Sequence, residues 1–225
     1  MWLIDSSIGR KLIMSISGIF LVLFLLFHSL MNIVVIISPS GYNAICAFLG
    51  ANWYAVVGTA VLAGGFVIHI LYALFLSYQN LRARGSESYS VTKNQKSVEW
   101  SSQNMFVLGL IIFGFLLLHF YNFWFRMQFV ELTGIETGQF LPGDGAAFVK
   151  DLFSHWIYCI VYIVWLSALW FHLTHGVWSS LQSIGINNKT WLPRVKVISN
   201  IVSTIVILMF MSIPVYYLLG CGSCI

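Results

Sequence analysis

Five apolar stretches, each long enough to cross a bilayer, leave this chain one kind of environment to fold in. They run over residues 12–37, 53–79, 103–129, 155–181 and 197–219. Each meets or exceeds the ~20 residues that a helix needs to span the hydrocarbon core, and the excess length points to tilt or extension beyond it. Composition agrees: 59% of residues are hydrophobic and 8% charged, whereas a soluble domain is about a quarter charged. Such a chain has too few polar residues to face water. The expected fold is an all-α membrane protein, residues 1–225 forming one transmembrane domain with no room for a sizeable soluble one. Lysines and arginines sit beside helix ends and form no basic stripe, which argues against nucleic-acid binding. There is no internal repeat, low-complexity tract, phosphate-cradling glycine loop or Ser-His-Asp arrangement.

The charges fix an expected orientation. Arg10, Lys11, Arg82, Arg84, Lys93, Lys96, Lys189, Arg194 and Lys196 fall on one side, and only Arg126 and Lys150 on the other. By the positive-inside rule the N-terminus is cytoplasmic, and five spans then put the C-terminus outside. The connection 130–154 carries Glu131, Glu136, Asp144 and Asp151; the connection 38–52 has Pro39 and Gly41 and no charge. Arg10 and Lys11 ahead of an apolar run resemble a signal peptide. The run is too long for one and lacks a small-x-small cleavage site, so it reads as a retained first helix. Trp53, Tyr54, Trp100, Trp124 and Trp178 lie near span ends, as interfacial aromatics do.

Histidine is costly within a bilayer, so each intramembrane histidine is a candidate functional residue. The first four stretches each carry at least one: His28, His69, His119, and His172 with His175. Their depths follow from the ~1.5 Å rise per helical residue. His28 lies about 27 Å beyond Arg10, and His119 about 24 Å beyond Gln103, both on outward-running helices. His69 lies about 20 Å before Arg82, and His172 about 15 Å before Gln182, on inward-running ones. The four sort into an outer pair, His28 with His119, and an inner pair, His69 with His172, about 10 Å apart in level. In an up-down-up-down bundle the first helix is diagonal to the third and the second to the fourth, so each pair can face across the core. Two facing imidazoles can cap the two faces of one haem iron, and bis-histidine ligation suits electron transfer rather than oxygen binding. Gly18, Gly64, Gly65, Gly114 and Gly176 would let a flat macrocycle approach the backbone, although small residues also serve plain helix packing. The bland alternative is that each histidine only hydrogen-bonds between helices. His155 reads as an interfacial residue at the start of the fourth helix, with a haem propionate or a quinone as its other use. On spacing alone His175 can replace His172.

The residues also resemble a family. RKLIMSISGIFLVLFLLFHSLMN, residues 10–32, is similar to the first helix of the dihaem cytochrome b subunit of bacterial succinate dehydrogenases and fumarate reductases. It has a basic pair, a serine and glycine before the helix centre, then H-x-x-x-N at His28 and Asn32. Tyr42 and Asn43 in the next loop are similar too. FHLTHGVW resembles the family's H-x-x-x-G-hydrophobic-aromatic segment, which selects His172, four before Gly176, over His175. The resemblance implies a five-helix anchor in the bacterial cytoplasmic (inner) membrane, with the first four helices holding two haems b. It implies a flavoprotein and an iron–sulfur protein as partners on the cytoplasmic face, and a dimer of such heterotrimers as one assembly. It implies a membrane quinone or quinol as substrate, commonly menaquinone. His69 and His172 would ligate the inner haem iron, and His28 and His119 the outer. Ser15 matches a serine near the inner propionates, and Trp100 lies at a similar level. The chain would then be the electron-carrying subunit of an enzyme complex, with no dicarboxylate site of its own.

One feature departs from that pattern. Some quinol-oxidising members carry a glutamate two residues before the inner ligand of the fourth helix, where this chain has Trp170. Glu131 and Glu136 could serve an outer quinone site or be solvated loop charges. Cys159 reads as an apolar packing residue. Cys46, Cys221 and Cys224 fall on the outer side, where the terminal C-G-S-C allows a labile disulfide. Two rivals stand beside the main reading: the dihaem anchor of a formate dehydrogenase or hydrogenase, and a transporter that relays protons through histidines. The latter lacks the expected repeat pair.

Overall fold

A computed structural model describes residues 6–50, 52–84, 99–135 and 140–220. Of these, 86% are helical, and none forms a strand. In chain order the helices are α1 (Ser7–Asn32), α2 (Val34–Ile37), α3 (Pro39–Phe48), α4 (Trp53–Arg84), α5 (Trp100–Gln103) and α6 (Met105–His119). A π-helical turn, Phe120–Trp124, follows α6 directly. Then come α7 (Gln128–Thr133), α8 (Gly145–Ser154), α9 (Trp156–Ser183) and α10 (Trp191–Leu218). Five segments are long and apolar enough to cross a membrane: Ser7–Ile37, Trp53–Ala83, Met105–Trp124, Trp156–Ser183 and Trp191–Leu218.

Three of them run past the sequence expectation, while the third is shorter, 105–124 against 103–129, because turns at 104 and 125–127 interrupt the helix. The first span begins at Ser7 and the fifth at Trp191, each several residues early, and the second runs on to Ala83. Those extensions hold Arg10, Lys11, Arg82, Arg194 and Lys196. Long basic side chains carry their charge to the interface while the backbone stays helical, so a charge does not mark a helix end. What starts α1 is a cap: Ser6 Oγ accepts from Gly9 N–H at 2.9 Å, satisfying one of the free donors of the first turn. Gly185, at φ 117°, takes the left-handed turn after α9 that a side chain would resist.

Two expected connections are structured. After the first span, Ser38 takes an extended conformation and accepts from Gly41 N–H at 3.1 Å, and Pro39 opens α3 with its fixed φ. The connection 130–154 contains the end of α7 and all of α8. α3 and α8 dock on one another: Asn43 Nδ2 donates to Asp144 Oδ1 at 2.6 Å, and Asn43 Oδ1 accepts from Ala146 N–H at 2.8 Å. Beneath them Val35, Tyr42, Val149, Leu152 and Phe153 form a buried cluster with Cys159, Tyr162, Trp165 and Ile213. Arg84 lies at the end of α4, its side chain outside the described residues, as are Lys93, Lys96, Glu136, Cys221 and Cys224 altogether.

Packing among the spans is uneven. The fourth and fifth pack most extensively, through Leu166, Leu169, Leu173 and Ile207. The first span packs against the second, fourth and fifth, the second principally against the first, and the third principally against the fourth. No substantial backbone packing joins the second span to the third or fourth, or the first to the third. The first and second spans approach closely at Gly65, where an added Cβ would lie 2.5 Å from Phe20 Cε1. At Gly64 an added Cβ meets nothing within 4 Å. Gly65→Val is expected to destabilise by the ~1–3 kcal/mol of overpacking, and Gly64→Ala to be near neutral. Thermal unfolding in detergent separates them; equal melting of the two variants would contradict this packing.

Candidate functional site

All five spans contribute to the wall of one cavity of about 1180 Å³. It exceeds the ~300–1,000 Å³ of ordinary ligand pockets. His28, His69, His119, His172 and His175 all line it, among mostly apolar side chains.

The rings meet in two pairs. His28 and His119 have ring centroids 6.0 Å apart with planes at 87°. His69 and His172 lie 6.4 Å apart at 68°. These are the two juxtapositions that helix depth leads one to expect. Two imidazoles on either side of one metal atom, at about 2 Å per nitrogen–metal bond, have ring centres about 6 Å apart. Among the described residues no group of three or more His, Cys, Asp or Glu comes together as a metal site. Each pair brings two histidine side chains together, and two protein ligands are what a macrocycle that brings its own nitrogens would need.

The surroundings of the rings test that fit. Nδ1 of His119 and of His172 is buried with no hydrogen-bond partner, an arrangement that costs about 1–3 kcal/mol per group unless something offsets it. Around the outer pair Phe24 stacks on His28 at 5.1 Å, Phe210 of the fifth span stands 5.6 Å from it, and Trp165 stands 5.6 Å from His119. Asn32 Nδ2 lies 3.2 Å from His28 Nδ1 and 3.4 Å from Nε2, between the two nitrogens. Tyr42 Oη donates to Asn32 Oδ1 at 3.0 Å, so α3 reaches the outer pair through one amide. At the inner pair, Ser17 Oγ lies 3.3 Å from His69 Nδ1. A histidine pair with one unpartnered nitrogen at each level, and an aromatic wall around the outer pair, fit a bis-histidine macrocycle.

The remaining expected residues fall as follows. Ser15 is buried, lines the cavity beside Lys11, and donates to the Lys11 carbonyl at 2.8 Å. Trp100 is 58% exposed, packs on Phe171 and does not line the cavity. His155 is exposed at the start of α9, its ring near Tyr158. His175 turns to Glu99, with Nδ1 3.4 Å from Oε2, so His172, not His175, faces His69. Trp170 donates to Thr204 Oγ1 of the fifth span at 3.0 Å, away from the cavity. Cys159 is fully buried, with Sγ 3.2 Å from the Phe153 carbonyl. Cys46 lines the cavity, and burial pushes its thiol up to about 11, so it stays protonated at neutral pH.

A polar group in the cavity wall had no counterpart in the sequence reading. Gln128 Oε1 accepts from Thr59 Oγ1 at 2.9 Å and from Trp124 Nε1 at 2.8 Å, and its Nε2 donates to the Gly50 carbonyl. A glutamine inside the apolar stretch 103–129 was the available signal. The π-helical turn after His119 was not legible, although such turns are frequent at functional sites.

At the cavity's other end Glu99 receives Lys196 Nζ at 2.9 Å as well as His175. Burial raises the Glu99 carboxyl, but the bonds from Lys196 and His175 outweigh it and hold the group below its usual range. A carboxylate with a depressed folded pKa adds stability above its unfolded value of about 4.3 and loses it as pH falls through the folded one. Glu99→Gln is expected to be less stable than the parent at pH 7, with the gap closing below about pH 4. Thermal unfolding in detergent at the two pH values checks this, and a gap that persists in acid would contradict it. No family model, curated protein or solved structure matches this chain.

Proposed function

We propose that this chain is a dihaem cytochrome b: a membrane anchor that passes electrons between a membrane quinone and partner subunits on the cytoplasmic face. The observation that carries the reading is the pair of facing histidine couples, at 6.0 and 6.4 Å, within a single apolar cavity. His28 and His119 would hold the outer haem b, and His69 and His172 the inner one. Bound there, haem supplies one-electron redox chemistry. Everything else falls to the chain. The two imidazoles of each pair would be the protein ligands of one haem, a donor set suited to electron transfer rather than oxygen binding. Phe24, Phe123, Trp165 and Phe210 keep water from the outer pair.

In this reading the first four spans form an up-down-up-down bundle around the haems, and the fifth packs against the first and fourth. The charge asymmetry supports a cytoplasmic N-terminus and an outer C-terminus. The membrane is then the bacterial cytoplasmic membrane. The likeness of residues 10–32 and of FHLTHGVW to succinate dehydrogenase and fumarate reductase anchors supports a flavoprotein and an iron–sulfur protein as partners. It also supports a menaquinone-type quinone, and dimers of heterotrimers as an assembly. The chain would serve an enzyme complex without carrying dicarboxylate chemistry itself. Trp170 bonds to Thr204 where some relatives of that type have a glutamate, so a carboxylate proton route at that position is not part of the proposal.

His119→Ala is expected to lose one of two haems and to retain the other. Quinone-linked turnover of the complex falls, while dye-linked succinate activity of the partners survives. Haem per chain, measured as the pyridine haemochrome, decides it, and an unchanged content refutes the ligand assignment. Co-purifying subunits that oxidise formate or hydrogen would move the chain to the rival anchor type.

A further inference from the structure

Each pair contains one ring with a side-chain partner on the first span and one whose Nδ1 has none. In the outer pair that partner, Asn32, lies between both nitrogens of His28 and singles out neither. In the inner pair the geometry is more decisive. Ser17 Oγ donates to the Met14 carbonyl at 3.0 Å, and a carbonyl can only accept. The hydroxyl proton is thereby committed. What remains for His69 Nδ1, 3.3 Å away, is the oxygen lone pair, so Nδ1 must carry the proton and donate it. A neutral imidazole has one N–H, so Nε2 of His69 keeps its lone pair, and the ring faces His172 across 6.4 Å.

We infer that Ser17 is the positioning residue of the inner site: it fixes the tautomer and orientation of His69 so that Nε2 is the ligating atom. The inference rests on the haem reading above. Ligating histidines commonly donate their second N–H to an acceptor, which fixes the ring and raises its basicity. Two features make Ser17 effective here. It is 7% exposed, so water is a poor substitute. Its bond is the one side-chain hydrogen bond joining the first and second spans among the described residues. The ring also lies against the neighbouring Gly18, where a Cβ would sit in ordinary van der Waals contact 3.6 Å from His69 Cε1. Ser15, two residues earlier, has its hydroxyl turned to Lys11 and does not share this role.

The test compares Ser17→Thr with Ser17→Val in the full chain, purified from haem-supplied cells. The two substitutes match in volume and differ in the hydroxyl. Ser17→Thr is expected to keep two haems at the parent potentials. Ser17→Val is expected to hold the inner haem about tenfold less tightly and to raise its midpoint potential, because a less basic ring stabilises the oxidised iron less. A tenfold difference between redox states corresponds to about 59 mV for a one-electron couple. The outer potential stays where it was. Redox titration and haem content read this without any turnover assay. Equal behaviour of the two variants, or a shift of both potentials together, overturns the proposal. Should Ser17→Val fail to accumulate, Ser17→Ala carries the same expectation at smaller volume. A parent chain without haem would sink the functional reading and this inference with it. A parent with two haems and indistinguishable variants would sink this inference alone.

Discussion

An imidazole nitrogen buried in an apolar interior without a partner is a cost to the fold, and this chain carries two, on His119 and His172. Nothing in helix packing requires them. A leucine at either position would fill the wall at no polar cost. Their presence makes sense if the other ring nitrogen, Nε2, binds a metal, because that coordinate bond would offset the desolvation of the ring as a whole while Nδ1 itself stays unpartnered. The pairing of each with a second histidine at about one metal's separation extends that logic to both levels of the cavity.

The cavity follows from how the helices divide the work. The fourth and fifth spans make the tight packing, and the first leans on both. The second and third spans each rest principally on a single neighbour, so the space between them is left to side chains that line the cavity. Small cross-links hold these two in register: Ser17 with His69, Thr59 with Gln128, and Asn122 with the Tyr162 hydroxyl. On the side of the outer pair α3 and α8 lock over the spans through Asn43 and Asp144, and Tyr42 extends that cover to Asn32. At the other end, Glu99 ties the start of the third span to the fourth and fifth. The bonds of Asn43, Asp144 and Glu99 thus close the two ends, and the histidines with Ser17 and Asn32 lie between them.

Much of this was legible in the sequence, because membrane thickness and helical rise turn residue number into depth. The five spans, the two histidine pairs and the choice of His172 all rest on that arithmetic or on a short motif. The misses have physical reasons. The first, second and fifth spans run past the expected ends because the helices continue through Arg10, Arg82 and Lys196, and the third falls short because turns at 104 and 125–127 break an apolar run that composition alone does not divide. α3 and α8 were read as connections because their pattern is short and amphipathic in a chain dominated by apolar runs. Ser17 was indistinguishable from Ser15, since only the direction of each hydroxyl separates them. Trp100 shares a level with the inner pair, yet depth says nothing about which way a side chain faces, and it packs on Phe171 instead.

The measurement closest to the central claim is a haem stoichiometry of the purified parent chain, taken with its low-temperature electron paramagnetic resonance spectrum. The account predicts two b haems per chain, each oxidised centre low-spin with two imidazole ligands. One haem per chain would mean that one of the two histidine pairs does something else. No haem in a folded, haem-supplied preparation would contradict the account and favour a transporter in which the histidines relay protons.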